Sequence, residues 1–123
     1  TAFASYSSKD RARVLDRVAE ISRNGVDVFL DRMSMQPGDL WKNVLEEEIR
    51  KRESFLLFWS NNAKNSDYVT WEWKTALQQR GLTGIEPHPL EDPTTAPPPP
   101  ELSDLHFNDV YMLVRKASNS TTP

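Results

Sequence analysis

Cysteine is absent from the chain and histidine occurs only twice. The first absence excludes a disulfide framework and a thiolate metal site. Two well-separated histidines argue against a structural zinc centre, so no metal and no resident cofactor are expected. A basic excess is missing too. Lys and Arg total 15 against 18 Asp and Glu, a net charge of -3, whereas nucleic-acid binding needs a clustered basic surplus. Long apolar stretches are also missing. The longest, residues 55–59, falls far short of the roughly 20 residues of a membrane span, so no membrane partner is expected. No signal peptide or anchor pattern is visible, and a reducing cytoplasm suits the lack of thiols. The chain opens without Met and almost inside its first apolar stretch, so both ends are expected to be cuts within a longer protein.

What is present fits one globular domain with one proper core: 123 residues, 37% hydrophobic and 27% charged. Two stretches frame it. Residues 3–10 read as a strand running into a polar Ser7-Ser8-Lys9-Asp10 turn, and residues 66–72 as the start of a helix with one carboxylate, Glu72, near its beginning. Between them, Val14, Leu15, Val18 and Ile21 recur with helical spacing, Gly25 offers a C-cap, and residues 26–30 make a second strand. Ser7 and Ser8 read equally well as helix N-caps.

A long polar loop, residues 31–39, follows with a Pro37-Gly38 pair, and Asp39 then caps a helix over residues 40–52 whose apolar face carries Trp41, Val44, Leu45 and Ile49. The run Glu46-Glu47-Glu48 is a solvated face, because consecutive helical residues diverge by about 100° and do not converge on one ion. Phe55-Leu56-Leu57-Phe58-Trp59 has no alternation, as in a central parallel strand covered on both faces. A polar loop over residues 60–66 leads to a helix over residues 68–80 closed by Gly81. Its buried stripe is Val69, Trp73, Ala76 and Leu77, with Tyr68 and Glu72 together on the flank, which leaves Glu72 half sheltered. Asp10 and Asp67 sit where helix caps are expected.

Residues 85–90 form a proline-interrupted strand tolerable only near an edge. The proline-rich stretch 91–101 is either a surface strap or poorly ordered. Residues 102–107 add a short last strand, 110–117 a final helix, and 118–123 the start of a linker after a domain spanning 1–117. Alternating strands and helices predict an α/β fold, a flavodoxin-like doubly wound parallel five-stranded sheet of order 2-1-3-4-5 flanked by helices. The crevice of such a sheet opens between strands one and three, where residues 7–10 and 60–67 emerge.

Phe3-x-Ser5-Tyr6-Ser7-x-x-Asp10, Phe29-Leu30-Asp31, Pro37-Gly38-Asp39-x-Trp41, Ser60-x-Asn62, Ser66-x-Tyr68-x-x-x-Glu72-Trp73 and Leu105-His106-Phe107-Asn108-Asp109 together resemble a bacterial TIR domain, in the right order and over essentially the whole chain. The resemblance implies that residues 31–39 are the BB loop and that Glu72 is the catalytic glutamate of the members that cleave NAD+. Tyr68 takes an aromatic position that is often Trp in those domains. NAD+ is then a substrate rather than a cofactor, with Tyr6, Ser7, Ser8, Asp31 and Tyr68 lining its site. The resemblance further implies an effector module of cytoplasmic anti-phage defence, fused to a sensor domain outside this chain and activated when TIR domains stack. Arg32, Met33, Met35 and Gly38 would form the self-assembly loop, since exposed methionines suit adaptable contacts and a head-to-tail contact can propagate as a filament.

The chemistry is consistent with a single acid. Nicotinamide leaves NAD+ from a cationic pyridinium and departs neutral, so the second carboxylate that most glycosidases use to protonate a leaving oxygen is unnecessary. One carboxylate facing the developing oxocarbenium ion suffices. The product is open-chain or cyclised ADP-ribose. Two other classes compete with the enzyme reading. A non-enzymatic adaptor associating through residues 31–39 has no need of a carboxylate at position 72. A phosphoacceptor receiver domain needs an acidic residue ending the third strand, where this chain has Trp59-Ser60-Asn61.

Overall fold

Short apolar runs alternate with stretches of helical period along the chain, and they supply the elements of a computed structural model, which describes residues 1–30 and 40–105. The strands are β1 (Ala2–Ser5), β2 (Val28–Leu30), β3 (Ser54–Trp59) and β4 (Ile85–Pro89). They form one parallel sheet of order β2-β1-β3-β4, with Ala4 beside Leu56 and Ser5 beside Leu57 in register. The helices are α1 (Arg11–Arg23), α2 (Leu40–Lys51), a single turn α3 (Asn61–Lys64) and α4 (Asp67–Arg80).

Alternation along β1 and β3 sends side chains to two separate cores. Ala2, Ala4, Leu56 and Phe58 pack with Val14 and Val18 of α1. Phe3, Phe55, Leu57 and Trp59 pack with Leu45 and Ile49 of α2 and with Val69, Trp73 and Ala76 of α4. The sheet is thus covered on both faces, as the unbroken apolar run of β3 predicts. Leu15 and Val44, expected in the buried stripes, are 37% and 42% exposed. Each sits about 100° round the helix from a buried neighbour, Val14 or Leu45, and falls off the face that meets the sheet.

Local chemistry sets the boundaries. Asn24 closes α1 and Gly25 adopts φ +88°, a left-handed conformation that glycine takes at little cost. Strand β2 begins only at Val28, later than residue 26, because its pairing with β1 starts there: Val28 lies beside Ala2, whose amide donates the first ladder bond to the Asp27 carbonyl. Residues 60–66 are not wholly a loop: the Ser60 side chain accepts from the Ala63 amide and caps α3. At the other end of the sheet the Leu90 amide donates to the Trp59 carbonyl, so by strand alternation the positions of Glu86 and His88 face β3 while Pro87 and Pro89 face outward. The two prolines are accommodated because β4 is an edge strand of the described sheet.

The proline-rich stretch is a strap. Trp59 Nε1 donates to the Pro97 carbonyl at 3.1 Å, and Ala96 and Leu102 are buried against the α2/α4 side of the sheet. The expected strand over residues 102–107 is not begun by residue 105. Pro100–Leu102 is a 3-10 turn, and the amides of Leu102 and Leu105 bond back to Pro99 and Leu102 instead of reaching for a ladder. The rest of that strand, the helix expected over 110–117, the tail 118–123, and the loop holding Asp31, Arg32, Met33, Met35 and Gly38 lie outside the described residues. Among the described residues no helix is long and apolar enough to cross a membrane.

Candidate active site

Strands β1 and β3 end side by side, and α4 lies across their ends. The side chain of Ser66 accepts from the Val69 amide and sets the start of α4. Stepping on at 100° per residue, Val69, Trp73 and Ala76 form the buried stripe, and Glu72 falls 60° from Val69 on its margin. The helix presses close enough that this margin is buried as well. Glu72 is 1% exposed, not half sheltered. Ser5, the last residue of β1, points to the same face, is fully buried, and donates its hydroxyl to Glu72 Oε1 at 2.7 Å.

A second carboxylate organises the loops beside this pair. Asp10 makes no side-chain cap bond to α1, contrary to the cap expected there. It is 2% exposed and gathers donors from across the crevice: the Ser60 hydroxyl on Oδ2, Asn62 Nδ2 on Oδ1 at 2.8 Å and Arg13 Nη2 on Oδ1 at 2.8 Å. Burial pushes the Asp10 carboxyl up, but the three hydrogen bonds and the Arg13 charge outweigh it and hold the group below its ordinary 3.8. The two loops that the sequence places on one crevice are therefore tied by one carboxylate. Asp67 is exposed in the first turn of α4, where Ser66 rather than Asp67 is the cap.

Among the remaining candidates, Tyr6 is turned to the α1 face, where its hydroxyl accepts from Arg11 Nη1 at 2.8 Å. Ser7 is buried and accepts from the Lys9 amide, a cap for the 3-10 turn Ser8–Asp10, in which Ser8 is exposed. Tyr68 lies half-buried at the start of α4 with its ring 4.9 Å from that of Trp41, and Trp41 in turn meets Trp71 edge-on at 5.1 Å. Glu72 and Tyr68 thus share α4, with an aromatic cluster completed by α2, while the Tyr6 side chain is on the other side of the sheet.

A family model described as TIR domain matches residues 3–119. The chain belongs to the TIR domain family. A search of curated proteins finds no match. The TIR domain assignment agrees with a parallel sheet flanked by helices and brings with it homotypic contacts between TIR domains and a place in signalling. In this TIR domain the Glu46-Glu47-Glu48 run splays apart: Glu47 pairs with Arg50, and Glu48 with Lys51 and Arg52. Among the described residues no cluster of His, Cys, Asp or Glu is placed to hold a metal ion.

Two features of the site escaped the sequence reading. Ser5 was visible only as part of a motif, although a hydroxyl on the strand face otherwise occupied by Phe3 is the pattern of a buried polar contact. The role of Asp10 as a tie needed Ser60 and Asn62 to be read as its donors rather than as loop polarity.

Proposed function

We propose that this TIR domain cleaves the nicotinamide–ribose bond of NAD+, as a glycohydrolase or ADP-ribosyl cyclase, with Glu72 as the catalytic carboxylate. The observation that carries this reading is a carboxylate withdrawn from water at the carboxyl ends of β1 and β3, where an open α/β sheet binds its ligands. In such surroundings a fixed negative charge acts on a developing cation far more strongly than in water. The C1′–N bond breaks with its electron pair going to the pyridinium nitrogen, which leaves neutral. The oxocarbenium ion is then captured by water or by a nucleophile within the same molecule, giving ADP-ribose or its cyclic isomer. Tyr68, beside Glu72 on α4, borders the ribose, and Ser7, Ser8 and Asp31 belong to the approach, whereas Tyr6, turned to the α1 face, takes no part in it.

One observation favours the alternative, a non-enzymatic adaptor: at 1% exposure, Glu72 touches no substrate until its cover shifts. Assembly supplies that shift in the enzyme reading. Contacts made through residues 31–39, with Arg32, Met33, Met35 and Gly38 at the interface, open the crevice when a fused sensor, outside this chain, gathers TIR domains in a filament. In that setting the domain is the effector of an antiviral system in the cytoplasm.

The test is a dilution series with NAD+, products being resolved by chromatography and mass. Specific activity rises steeply with protein concentration or on forced clustering, and Met35→Ala lowers activity and assembly together. Silence of the wild type at every concentration, clustered or not, establishes the adaptor.

A further inference from the structure

The face of the sheet that carries Ser5 is otherwise built of large apolar side chains, Phe3, Phe55, Leu57 and Trp59. An apolar residue at position 5 would pack there as well as serine and would not need a partner. The hydroxyl is fully buried, and a buried hydroxyl without a partner is costly. Its proton goes to Glu72 Oε1, at 2.7 Å, the ordinary length of a well-formed O–H···O hydrogen bond. The donor is also on the most rigid support available. Ser5 sits in register with Leu57 of the central strand β3, whereas the other polar candidates of the crevice stand on loops or helix starts. Side chains held on strands are placed more accurately than those on loops.

We propose that Ser5 is a positioning residue for Glu72: its hydroxyl, fixed by the β1–β3 ladder, holds Oε1 against the sheet and thereby sets the plane in which the carboxylate faces the ribose. This rests on the reading of Glu72 as the catalytic carboxylate. Small errors in such an orientation cost rates up to about a hundredfold, while leaving contacts to the rest of the dinucleotide untouched.

The decisive experiment compares wild type, Ser5→Ala and Ser5→Thr in the clustered state with NAD+, and follows the Glu72 carboxyl by 13C NMR titration in each. Ser5→Ala lowers kcat about tenfold to a hundredfold with KM within about twofold, because the hydroxyl never touches substrate. Ser5→Thr, which keeps the hydroxyl on a β-branched side chain suited to a strand, recovers most of the loss. The titration of Glu72 moves up in Ser5→Ala and stays near wild type in Ser5→Thr, since a lost donor to the charged form favours protonation. A wild-type kcat in Ser5→Ala, or a Glu72 titration that does not move, overturns the proposal. If the wild type cleaves no NAD+, the enzyme reading falls separately. The titration then still decides whether Ser5 holds Glu72: an upward move sustains the contact, and no move overturns it. Should Ser5→Ala not fold, Ser5→Cys, nearly isosteric and a weak donor, carries the same comparison.

Discussion

Asp10 and Glu72 are both almost completely buried, at 2% and 1% exposure, and both stand at the carboxyl edge of the sheet, yet they are held in opposite ways. Asp10 draws its donors from loop and helix residues, Ser60, Asn62 and Arg13, one of them a full positive charge. Those residues would drift apart without it, so the carboxylate positions the protein. Among the described contacts Glu72 takes the neutral hydroxyl of Ser5, a residue whose place is already fixed by strand pairing, so there the protein positions the carboxylate. A group that holds the fold together is expected to fail by unfolding when altered. A group that the fold holds is expected to fail by losing activity.

The sharpest way to break this contrast is Glu72→Gln. The amide keeps the shape and still offers an oxygen to Ser5, so turnover of NAD+ by the clustered domain falls to background. The melting temperature stays close to that of the wild type, because the isosteric amide preserves the packing. Turnover at the wild-type rate removes Glu72 from the chemistry. Asp10→Ala should do the reverse. Losing a buried, charge-paired tie costs about 3 kcal/mol, read as a drop of roughly 10 °C in melting temperature, with activity following the folded fraction.

The two carboxylates also separate along the pH axis. Because the folded-state pKa of Asp10 is depressed, its contribution is fully present above the ordinary value of 3.8 and is lost as pH falls through the folded value. The stability difference between wild type and Asp10→Asn, measured by denaturant unfolding, is therefore constant near neutrality and narrows below about pH 4. A difference that persists unchanged to pH 2 contradicts the tie.

Smaller effects refine the surroundings. Trp59→Phe removes the indole donor to the Pro97 carbonyl and should cost about 1 kcal/mol. It should also speed cleavage of the proline-rich strap in limited proteolysis. Tyr68→Phe is expected to be nearly silent, within about 0.5 kcal/mol, because the Tyr68 hydroxyl is buried with no hydrogen-bond partner among the described residues. Any larger loss of turnover with stability intact would show that this hydroxyl meets the substrate.

The order of the first four strands, both helical faces of the sheet and the meeting of the two loops were legible because periodicity and topology are carried by long runs such as residues 55–59. What was not legible depended on distance between elements. Helix α4 was rightly located and Glu72 rightly put on its flank, but how far the flank sinks is set by the packing of Val69 and Trp73 on Phe3 and Leu57, and no helical wheel contains that. Asp10 looked like a cap because caps are local and its true donors, Ser60 and Asn62, are 50 and 52 residues away. Tyr6 looked like a crevice residue by position, but strand alternation sends it to the face of Ala2 and Ala4 rather than to that of Ser5.

The prolines of β4 carry a further consequence. With Pro87 and Pro89 turned away from β3, the outer margin of that strand, an edge among the described residues, presents carbonyl oxygens at those positions and no amide hydrogens. Two such margins laid together would set acceptor against acceptor. However densely copies of this domain are crowded, that margin cannot template its own extension strand upon strand. Close packing of many copies, the condition that most endangers an exposed β-edge, is thereby made less hazardous at this margin of the sheet.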